Sequence, residues 1–135
     1  MLFNWKPLIG KYLRENEKIR DFVAKDEQGN PVIATMKLPA GRFPAIEYHQ
    51  IGGLDQTFSN DKVATRTYNF QVSIHTDDAS HALIDGEVDK VMRELGFICY
   101  FDYENYEQEV KVYNRYLLYR QTITVERITY LNSLI

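Results

Sequence analysis

Thr65-Arg66-Thr67-Tyr68-Asn69-Phe70-Gln71-Val72-Ser73-Ile74-His75 alternates almost perfectly, and only a β-strand places Tyr68, Phe70, Val72 and Ile74 on one side. Burying those four side chains contributes about 1.5 to 3 kcal/mol each before ordering costs, which fixes the register of the strand. The other side carries Thr65, Thr67, Asn69, Gln71, Ser73 and His75, all polar and none reliably charged at neutral pH. A sheet face meant only for water usually collects Lys and Glu, whereas interface cores are depleted of charge and keep groups that hydrogen-bond. The stretch therefore points to assembly rather than to catalysis.

Outward from it, the pattern predicts an α+β domain spanning residues 1–135, with a mainly antiparallel sheet, a long amphipathic helix packed on one face and an N-terminal helix. Pro7 and the apolar spacing of Leu8, Tyr12, Ile19, Phe22 and Val23 predict a helix over about 6–22. Short strands are expected at 32–36 and 43–51, separated by Pro39 and Gly41. Residues 52–64 are polar and read as a projecting loop, too long for a tight hairpin, in which Phe58 either tucks back or anchors onto a neighbour.

After the alternating strand, Thr76 to Ser80 offer caps, and Ile84, Val88, Val91, Met92 and Leu95 mark the apolar stripe of the long helix. Gly96 is its expected left-handed terminator, Phe97 to Phe101 the next strand, and Asp102 to Glu109 a solvated hairpin turn. A final strand is expected over about 110–127. It carries apolar side chains on both sides and so needs cover on both. The tail at 126–135 is apolar to its end and should dock.

The formal net charge of −3 gives no general attraction to nucleic acid. Tyr113-Asn114-Arg115-Tyr116 and Tyr119-Arg120 are the nearest approach to a stacking surface, but the charge around them is acidic. No stretch approaches the roughly 18 apolar residues of a membrane helix, and the opening residues lack an apolar core behind a basic segment. Synthesis in the cytoplasm is the expectation.

Chemistry-bearing patterns are sparse. Cys99 lies in an apolar run where a thiol is inert packing. His75, Asp77, Asp78 and His81, with His49 as a third imidazole, are the best metal constellation, yet their spacing matches no ligand pattern and the carboxylates serve as helix caps. Catalytic, metal and cofactor sites are therefore not expected.

Leu38-Pro39, the run Arg42-Phe43-Pro44-Ala45-Ile46-Glu47-Tyr48, the alternating strand from Arg66 to His75, the helix end Met92-Arg93-Glu94-Leu95-Gly96-Phe97 and the strand Tyr113-Asn114-Arg115-Tyr116 come in an order that resembles the tail terminator, or tail completion, proteins of long-tailed bacteriophages. The resemblance covers about residues 38–125. It implies a structural virion protein at the head–tail interface, assembled in the host cytoplasm as a homohexameric ring. The implied partners are the tail tube protein, whose polymerisation the ring stops, and a head-completion or connector protein. DNA would pass through the bore without sequence-specific binding. The subunit contacts would then fall on the loop, at Asp55, Gln56 and Phe58, and on the uncharged strand face, at Thr67, Asn69, Gln71 and Ser73. Two alternatives stay open: another neck component of similar fold, and a small metal- or ligand-binding enzyme domain built on the histidine turn.

Overall fold

The alternating strand lies at the centre of the molecule. The computed structural model describes residues 2–39 and 41–135. In chain order they form α1 (Lys6–Glu15), α2 (Glu17–Phe22), β1 (Ile33–Thr35), β2 (Ala45–Ser59), β3 (Lys62–Thr76), a 3-10 turn (Ser80–Leu83), α3 (Asp85–Glu94), β4 (Ile98–Glu107), β5 (Val112–Thr124) and α4 (Val125–Ser133). The five strands make one mixed sheet in the order β1-β2-β3-β5-β4, in which β1 runs parallel to β2 and the other pairings are antiparallel.

Tyr68, Phe70, Val72 and Ile74 are buried beneath the helices, in one cluster with Trp5, Ile9, Leu13, Val88, Met92 and Ile128. Edge-to-face rings lock its middle, with Trp5 and Phe97 at 5.1 Å and Phe70 and Phe97 at 5.6 Å between centroids. Tyr68 is also tied down, since its hydroxyl accepts the Phe3 N–H at 2.9 Å.

Several expected boundaries move, each for a local reason. The helix foreseen over 6–22 breaks at Asn16, whose extended backbone ends α1 while its side chain accepts the Ile19 N–H at 3.0 Å and so caps α2. The long amphipathic helix is not there. Asp78 accepts the Ser80 N–H at 2.9 Å just ahead of the 3-10 turn, and α3 starts only at Asp85 and spans 10 residues. Its apolar stripe and its end do follow the pattern. Gly96 takes φ 93°, with Gly96 N–H donating to Arg93 and Phe97 N–H to Met92, the paired bonds of a Schellman cap.

The projecting loop at 52–64 is instead an antiparallel hairpin closed by two residues, Asn60 and Asp61, both in the left-handed region at φ 50° and 61°. Thr57 bonds Thr65 at 2.8 Å, and Arg66 bonds Asp55 at 3.0 Å, so polar side chains hold a ladder that no apolar alternation announced. Because β5 pairs with β3 only from Thr65 onward, the tip of this hairpin stands beyond the rest of the sheet as an arm. The acidic stretch Asp102 to Glu107 is likewise strand rather than turn, and the second hairpin closes at 108–111. The last strand ends at Thr124, whose hydroxyl accepts the Arg127 N–H at 3.1 Å and starts α4. Ile128 and Leu131 of α4 join the core, while Leu134 and Ile135 are exposed.

Candidate interaction surface

All the helices pack on one face of the sheet; among the described residues no helix covers the other, which meets the segment around Leu38 and Phe43 only at its end near His75, Val112 and Asn114. Down its centre runs the polar side of β3, whose side chains bond to one another and to the flanking strands. The Thr67 hydroxyl meets Thr122 at 2.7 Å and Gln56 Oε1 at 2.8 Å. Arg120 Nε donates to Asn69 Oδ1 at 3.1 Å, and Gln71 Nε2 donates to Ser73 Oγ at 3.0 Å. At the end of the row His75 pairs with Asn114, which donates onward to Asn105 at 2.9 Å and Glu107 at 2.6 Å. Lateral bonding of this kind leaves few groups in need of water, so the face can be covered without stranding polar atoms.

Toward β4 the same face turns aromatic. Tyr103 stacks on Tyr116 with centroids 4.7 Å apart, Phe101 lies 5.7 Å from Tyr103, and the Arg120 guanidinium sits 4.2 Å above the Tyr100 ring. Phe101 is 56% exposed although it pairs with Leu118 of β5, just past a bulge at Tyr100. Sequence reading missed this strip because it took Asp102 to Glu109 for a turn. The available signal was the alternation of Phe101, Tyr103 and Asn105 against Asp102, Glu104 and Tyr106.

The residues singled out from sequence are divided by the structure. Thr67, Asn69, Gln71 and Ser73 share the face that no helix covers, but Thr67 and Ser73 are only 3% and 1% exposed. Asn69 and Gln71 are half-buried. On the arm, Gln56 reaches Thr67, whereas Asp55 turns to Arg66, and Arg66 lies over Tyr68 on the helix side of the sheet. Phe58 does not tuck back among the described residues; it is 64% exposed.

The histidine turn does not assemble. His75 belongs to the uncovered face, while His81 is buried on the helix side, beside Tyr113 and 3.2 Å from Glu104. His49 contacts Glu47 at 2.6 Å. Among the described residues no three His, Cys, Asp or Glu side chains converge as a metal ion requires.

A cleft of about 430 Å³ between α3 and β4 holds Arg115, 2.8 Å from Asp102 and 3.4 Å from Asp85, and the Arg93–Asp89 pair at 2.7 Å. Each guanidinium is paired, and the three carboxylates leave the cleft one negative charge in excess. Cys99 lines the same cleft, where burial pushes its thiol up in pKa and away from the thiolate that would react. No protein-family model and no curated protein matches this chain.

Proposed function

We propose that the protein is a structural ring-former of the tail-terminator kind, non-enzymatic, which caps a phage tail tube, stops its growth and offers the surface that joins the tail to the head. The observation that carries the reading is the uncovered sheet face, whose polar row is satisfied laterally and whose border is aromatic. Such a face is wet in the lone chain and ready to be buried in an assembly. The arm supports the same reading, because it projects beyond the sheet and ends near an exposed phenylalanine. A ring uses head-to-tail contacts, in which two different patches of each subunit meet, and so can bury the strip and the arm at once.

The action is steric. One side of the ring matches the tube end and the other differs from a tube subunit, so no further tube subunit adds. Imaging purified protein mixed with isolated tail tubes tests this: rings seated only at tube ends are expected, and bare ends or binding along the tube wall would overturn it.

A further inference from the structure

The sheet has two open edges, and they differ. β4 is the terminal strand on one side, exposed throughout apart from the half-buried Cys99. On the other side β1 covers only Ile46 to Tyr48 of β2, so His49 to Ser59 have no strand beyond them. Unpaired edges are templates for another strand, and natural proteins usually blunt them with lysine, proline or an overlying helix. Between Ile98 and Val110 there is neither Lys nor Arg nor Pro.

Charge decides which strand fits β4. It carries Asp102, Glu104 and Glu107, so pairing with the β4 of a second copy would bring acidic strands together, and like charges facing each other destabilise a ladder. The free part of β2 carries one acid, Asp55, already held by Arg66 at 3.0 Å. Direction agrees. β2 and β4 run in opposite senses, so a copy related by rotation about an axis along the strands presents its β2 antiparallel to β4, the better-bonded arrangement.

We propose that the β4 edge of one copy pairs with the free β2 edge of the next, carrying the sheet from subunit to subunit and laying the neighbour's arm beside the aromatic strip. This rests on the ring reading and names the edges that make the ring. In a Cys99→Ser background, Tyr103→Cys is combined in turn with His49→Cys, Leu54→Cys and Gln56→Cys, and each product is bridged with a short bismaleimide at concentrations where native mass spectrometry finds multimers. At least one combination should give a ladder extending past the dimer on a denaturing gel, while Tyr103→Cys alone stays monomeric. A dimer from Tyr103→Cys alone would instead identify β4-to-β4 pairing and overturn the proposal. Closed multimers with no ladder in any combination would overturn the edge pairing and leave the ring reading standing. Wild-type protein that never forms multimers would overturn both.

Discussion

The two faces of β3 alternate along one stretch, Thr65 to His75, and follow different rules. On the covered face, Tyr68, Phe70, Val72 and Ile74 are at most 1% exposed, and their burial holds the helices to the sheet. On the other face, the contacts run along the surface from one polar side chain to the next, and among the described residues no helix lies above them. The first face explains why the chain folds. The second is costly to leave bare only at its aromatic border, and that border is where an assembly would form.

The widest contrast comes from neighbouring positions. Phe70→Ala empties space in the core and is expected to destabilise by about 3–5 kcal/mol. Gln71→Ala, one residue along and on the other face, removes one donor to Ser73 and should cost about 1 kcal/mol or less. Paired thermal and urea unfolding would check the difference, and equal losses would mean that the open face carries as much of the fold as the covered one.

A smaller effect probes a polar group on the covered face. The Tyr119 hydroxyl is held well above the ordinary tyrosine range, by burial first and by the adjacent Asp89 second. A raised folded-state pKa means that this contribution is intact below the unfolded value of about 10 and is lost as the pH rises beyond it. Alkaline unfolding curves should therefore be shallower for Tyr119→Phe, at a neutral-pH cost of about 1 kcal/mol for the lost bond to Asp89. The smallest effect on folding is expected at the arm. Phe58→Ser should change stability by less than about 0.5 kcal/mol, as an exposed position does, while weakening association in sedimentation. Loss of folding there would show that Phe58 belongs to the core.

How legible the sequence was depends on what each residue signals. The β3 alternation, the stripe on α3 and the Gly96 cap were readable because apolar period and a left-handed glycine are local facts. The arm was not, since its strands are held by Thr57, Thr65, Asp55 and Arg66 across the ladder, and polar pairs leave no apolar period. Asn16 looked like a helical residue until its cap on α2 and its 2.8 Å bond to Glu87 of α3 were visible. On the candidate surface, uncharged polarity marked the right face of β3, but burial of Thr67 and Ser73 depends on flanking strands. The β4 aromatics became part of the surface only once their stretch proved to be strand.

A chain with a sheet face that no helix covers and two open edges is expected to act as an assembly. The mass of the wild-type protein under native conditions, followed over a concentration series and in high salt, tests it most directly. A closed multimer of fixed subunit number that survives salt is the predicted result, since aromatic and strand-pairing contacts are little screened. A monomer at every concentration, with the Tyr103 and Phe101 rings still open to solvent, would contradict it.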